Sequence, residues 1–137
     1  MMLQMRKLLL LAVVALSGCT AIDAYLLAKF DPAEYDIITD IRFKSEKYIN
    51  QCNDPVASKT NANTLADRTY LFELYSADLP HNGETIKAST ALNEIAQGLA
   101  KKYNDGEQVS TLFCKLKFEG IQHSADTIRG VIAKRPR

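Results

Sequence analysis

From Asp31 to Ile132 the apolar residues recur in steps of three and four, and that regularity restricts the fold more than any other feature of the chain. A first helix opens at Asp31-Pro32-Ala33-Glu34: Asp31 can cap free amides, Pro32 suits the first helical position, and Glu34 completes a capping-box-like spacing. Ile38, Ile41, Ser45, Tyr48 and Cys52 then share a face, widened by Ile37 and Ile49, until Asn53-Asp54-Pro55 ends it. Residues 53–64 are polar and read either as a loop or as the first turns of the next helix. From Thr64 onward Leu65, Phe72, Tyr75 and Leu79 fall on one face, with Leu71 and Leu74 beside it, and Leu79-Pro80-His81-Asn82-Gly83 is a turn by composition. A third helix is expected from about Glu84 to Tyr103, with Ala88, Leu92, Ile95, Ala96, Leu99 and Tyr103 in register, stopped by Asn104-Asp105-Gly106. Cys114, Phe118, Ile121, Ala125, Ile128 and Ile132 carry the last stretch. Residues 112–118 also alternate as a strand would, but helix is preferred because the helical period continues beyond them. Gly120 and Gly130 cost about 1 kcal/mol each inside a helix, which suggests close packing or a bend. Lys134-Arg135-Pro136-Arg137 reads as a solvated basic tail. The pattern predicts an all-α domain over 31–137, an up-down-up-down four-helix bundle.

The segment before the domain has a different logic. Arg6-Lys7 precedes the apolar run 8–16, which is followed by small residues, the layout of a secretory signal. The run is too short to span a bilayer, which takes about 20 apolar residues. Leu16-Ser17-Gly18-Cys19 resembles the lipobox of bacterial lipoproteins. The resemblance implies cleavage before Cys19, a diacylglyceryl group on its sulfur and, in Gram-negative hosts, a third acyl chain on its new amino terminus. At about 0.8 kcal/mol per buried methylene, several chains make a stable anchor. In that family an Asp after the cysteine favours the inner membrane. Thr20 stands here, so the resemblance points to the outer membrane, facing the periplasm. The expected division is a signal peptide over 1–18, a lipidated tether over 19–30 and the bundle over 31–137. Ile22, Tyr25, Leu26, Leu27 and Phe30 make the tether apolar, and two readings stay open: a short helix at the membrane interface, or a segment packed back on the domain.

Of the three cysteines, Cys19 goes to lipid, and Cys52 and Cys114 remain in an oxidising compartment where pairing is expected. In the expected bundle Cys52 ends the first helix and Cys114 begins the fourth, so both fall at one end on adjacent helices. Two cysteines without a nearby histidine pair lack zinc-site spacing, and no metal is expected. Removing residues 1–18 takes away Arg6 and Lys7, two of 17 basic residues, and none of the 16 acidic ones. The mature chain is then close to neutral, which argues against nucleic acid as a partner.

No haem-attachment, phosphate-loop, dinucleotide or zinc-protease motif is present, and no cofactor is expected. His81 sits in a turn and His123 lies between Gln122 and Ser124 on a polar side; both read as solvated. Glu34, Asp36 and Asp40 share the first helix with Arg42, Lys44 and Lys47, an ordinary charged face rather than an acid–base pair in a cleft. No catalytic residue is assigned and an enzyme is not expected.

The leading functional expectation is a lipid-anchored module that binds another envelope protein, since bundles offer grooves for a partner helix or strand. Ser45-Glu46-Lys47-Tyr48-Ile49-Asn50-Gln51-Cys52-Asn53, with Cys114 at the start of the final helix, resembles the pilotins of type II secretion. The likeness covers that motif and the element order. It implies a small disulfide-stapled helical lipoprotein that escorts secretin subunits, and no binding residues are carried over. Two alternatives are a phage- or plasmid-encoded lipoprotein that excludes superinfection or incoming DNA, and a bundle holding an apolar ligand in an internal cavity.

Overall fold

A computed structural model describes residues 27–137; the expected signal segment, Cys19 and residues 20–26 lie outside the described residues. Among the described residues there are four helices and no strand: α1 (Pro32–Ile49), α2 (Pro55–Asp78), α3 (Gly83–Asn104) and α4 (Thr111–Ala133). Local chemistry sets three of the four starts. Asp31 accepts from the Glu34 amide, Asp54 from the amides of Val56 and Ala57, and Ser110 from that of Phe113, while prolines fill the first position of α1 and α2. The ambiguous stretch 53–64 is therefore helical from Pro55 on. α1 stops at Ile49, three residues short of Cys52, which sits in a turn before Asp54. The region 112–118 is helix.

Each helix runs antiparallel to its neighbours. Between α1 and α2, Asp31 meets Tyr75, Asp40 meets Arg68 and Gln51 meets Asn61. Along α1 and α4, Tyr35 faces Arg129, Tyr48 packs edge-on to Phe118 at 5.9 Å, and Cys52 bonds Cys114. α1 packs chiefly on α4 and α2 on α3, and these two pairs close into a bundle. The core is one continuous cluster that includes Ile38, Ile41, Leu65, Phe72, Leu92, Leu99, Phe118, Ile121 and Ile132, each at most 1 % exposed. Burying each such side chain contributes about 1.5–3 kcal/mol.

The α2–α3 seam is polar. Asn63 and Asn104 exchange amide bonds, the Gln97 amide donates to the Ala66 carbonyl, the Thr69 hydroxyl donates to Asn93, and Asn93 donates to Glu73 at 2.7 Å. The inner stripe of α2 accordingly runs through Ser58, Ala62, Leu65, Thr69, Phe72 and Ser76. Leu71 and Leu74, expected beside the buried face, are 41 % and 48 % exposed. The reason is geometric: one residue turns a helix by about 100°, and small and hydroxyl side chains hold the inward positions against α3.

The two glycines of α4 serve neither close packing nor any visible neighbour. A methyl group at Gly120 or Gly130 would meet nothing within 4 Å. Both positions have ordinary helical backbone, so Gly120→Ala and Gly130→Ala are each expected to stabilise the domain by roughly 0.5–1 kcal/mol. Urea unfolding checks this, and loss of stability in either variant would show a constraint that open space does not explain.

Candidate functional site

The two ends of the bundle carry different chemistry. At one end Cys52 and Cys114 are bonded, with Cα atoms 5.8 Å apart, linking the turn after α1 to the first turn of α4. In the chain-entropy model a loop closed across 62 residues stabilises the fold by about 4 kcal/mol. Ser58 lies beneath the bridge: its hydroxyl donates to the Gln51 carbonyl and sits 3.7 Å from the Cys114 sulfur. Burial pushes the Tyr103 hydroxyl above its ordinary pKa, with a hydrogen bond to Ser58 acting in the opposite direction. Lys102 and Lys117 both stand over the Phe113 ring, at 5.2 and 5.3 Å.

At the other end the chain both enters and leaves the bundle, and a buried carboxylate organises it. Glu34 is fully buried. Its Oε1 accepts from the Ser76 hydroxyl at 2.9 Å and the Asn82 amide at 2.7 Å, and its Oε2 from Arg135 at 2.7 Å. The same guanidinium donates to Asn82 Oδ1 and to the Thr85 hydroxyl. Asn82 also donates to the Ser76 carbonyl, so both oxygens of Glu34 and both atoms of the Asn82 amide tip are engaged. His81, at φ +57°, takes the left-handed turn that swings Asn82 inward. Beside the cluster the Phe30 amide donates to the Pro136 carbonyl, the Phe30 ring packs on Tyr35, and Arg137 stacks on Phe30 at 4.9 Å. The Tyr75 hydroxyl donates to Asp31, and that bond to a carboxylate raises its pKa above the usual phenol value.

Two expectations change here. The sequence places Glu34 with Asp36 and Asp40 on a charged face, but only the other two are on the surface. Asp36 is exposed and Asp40 pairs with Lys44 and Arg68. Glu34 is inward because the first turn of α1 abuts the α2–α3 turn. Nor is Lys134–Arg137 simply a solvated tail: the Arg135 side chain is only 10 % exposed, since the buried charge of Glu34 requires a counter-ion. Hydrophobic periodicity scores Glu and Arg as outside residues, so nothing in their spacing announced the pair.

No family model, curated protein or solved structure matches this chain. Its site is therefore read from geometry alone. His81 and His123 are both exposed and lie in separate elements. Among the described residues no group of three or more His, Cys, Asp or Glu could hold a metal ion, and no helix is long and apolar enough to cross a membrane. Two open grooves flank the Glu34–Arg135 cluster. One, of about 400 Å³, lies between Leu27–Asp31 and Leu79–His81. The other, of about 590 Å³ and mostly apolar, lies between Leu27–Ala28, Gly83–Thr85 and Val131–Pro136.

Removing one partner of a buried ion pair strands the other charge, at a cost of about 3–5 kcal/mol. Arg135→Ala should lose roughly that much stability, whereas adding Glu34→Ala to it should cost little more or recover part of the loss. A double-mutant cycle by chemical denaturation reads the coupling; additive losses would mean that the two charges do not act as a pair.

Proposed function

We propose that the protein is a lipid-anchored interaction module of the cell envelope, held on a membrane through acylated Cys19 and presenting its bundle to another envelope protein. In this reading residues 1–18 are a signal peptide removed in export, and the mature domain faces the periplasm from the outer membrane. The lipobox-like Leu16-Ser17-Gly18-Cys19 carries the anchor half of the proposal. The observation that supports the presentation half is the clasp at the tether end. Phe30 is tied to Pro136 and Arg137, so both termini of the domain leave from one end. The disulfide end and the outer helix faces then stand free of the anchor. A bonded Cys52–Cys114 pair suits the oxidising compartment that the signal implies.

Partner contact is assigned to the outer face of α2, where Tyr70, Leu71 and Leu74 are 51 %, 41 % and 48 % exposed within little more than one turn. Such clustering on one helix face suits a partner helix or strand laid across it. An escort role of the pilotin kind is the specific form we favour, on the residues 45–53 and the element order that resemble that family.

The anchor is tested by intact mass of the membrane-fraction protein, before and after reduction and alkylation. The expected mass is that of residues 19–137 plus acyl chains, with two cysteines alkylated only after reduction. A mass without acyl chains refutes the anchor. For the contact face, a photoreactive residue at Leu74 should give one discrete adduct in the envelope, and the same residue at exposed Gln108 should not. Equal yields at both sites would remove α2 as the partner surface.

A further inference from the structure

We infer that the tether end of the bundle is itself a lipid-facing surface, on which the domain stands with its disulfide end pointing away from the bilayer. The inference deepens the anchor reading and rests on it for the position of the lipid. Eight residue steps separate Cys19 from Leu27, so a fully extended tether reaches at most about 28 Å. A helix the length of α4 is about 35 Å long. The surface that the tether keeps nearest to the membrane is therefore the end at which Leu27 joins the bundle.

That end has side chains suited to such a place. Leu27 and Val131 are each 57 % exposed and border the larger, mostly apolar groove. Lys29, Lys134 and Arg137 are exposed around them, on stems long enough to lie along apolar surface while the heads reach headgroup phosphates. Two acids of the same end have cationic partners. Glu34 is paired with Arg135, Glu84 lies 3.3 Å from Lys87, and Asp31 caps α1 and accepts from Tyr75. Asp31, Asp36 and Asp78 stand against Lys29, Lys134 and Arg137, so the formal charges of this end balance and apolar contact is the main attraction. Exposed apolar residues also occur near the disulfide end, Leu112 among them at 67 %. What separates the two ends is the clasp: the Phe30–Pro136 bond and the Arg135–Glu34 pair hold the tether against one end only, and so give the bundle a fixed foot.

The chain has no tryptophan, so a single introduced one reports its own surroundings. With Cys52 and Cys114 bonded, Cys19 is the one free thiol of a chain beginning there, and a maleimide phospholipid will attach to it selectively. The lipidated chain is placed on vesicles of phosphatidylethanolamine and phosphatidylglycerol. Val131→Trp should show blue-shifted emission that is quenched by brominated acyl chains. Leu112→Trp should keep water-like, unquenched emission. Adding Leu27→Asp to the Val131→Trp chain should move its emission back toward the aqueous value, with helix content by circular dichroism unchanged. Water-like emission at position 131, or equal quenching at 131 and 112, overturns the inference. Because the lipid is attached chemically, the outcome does not depend on whether cells acylate Cys19, which the mass measurement reads separately.

Discussion

A buried carboxylate dictates how the two ends of the described domain can be arranged. Glu34 has no solvent around it, and an unpaired charge there would cost several kcal/mol. Its three partner groups come from the end of α2, the α2–α3 turn and the residues after α4, and one of them, Arg135, also donates to Thr85 at the start of α3. Satisfying one side chain thus pins every helix end on that side of the bundle. The chain before α1 is drawn in as well, because the tail that delivers Arg135 also presents the Pro136 carbonyl to Phe30. A more apolar cluster could be as stable, but it would not specify which segments meet.

The same division between strength and specificity runs through the rest of the fold. α1 and α4 are joined by apolar packing and a covalent bond, forces that tolerate small shifts in helix register. α2 and α3 are joined by apolar packing and by half-buried amide and hydroxyl pairs, and a shift in register would break several directional bonds at once. The bundle therefore combines a stapled pair with a keyed pair. Charge at its surface contributes less: pairs such as Lys101–Asp105 are exposed and worth at most about 1 kcal/mol.

For function, the consequence is polarity along the bundle axis. One end collects residues 27–31, the tail and the ion pair, and the other carries the disulfide, so the two ends cannot substitute for one another. In the proposed anchoring, a fixed foot would let the fold rather than the tether choose the faces offered to a partner, which lowers the ordering cost of a contact.

The helical class, the four stretches and the pairing of Cys52 with Cys114 were legible because each rests on a local or additive property: apolar period, cap chemistry at Asp31, cysteine number and compartment. The polar start of α2 was not legible, because Asp54-Pro55 reads equally as a stop for α1 and a start for α2. Leu71 and Leu74 were misplaced because period alone cannot say which of two adjacent faces small residues such as Ala62 and Ala66 will bring inward. Which polar residues go inside lay beyond the sequence altogether. Glu34 and Arg135 stand 101 positions apart, and each alone would be costly to bury. Only when the helices close does the same space receive both, and desolvation then turns two surface residues into the join between the two ends of the domain.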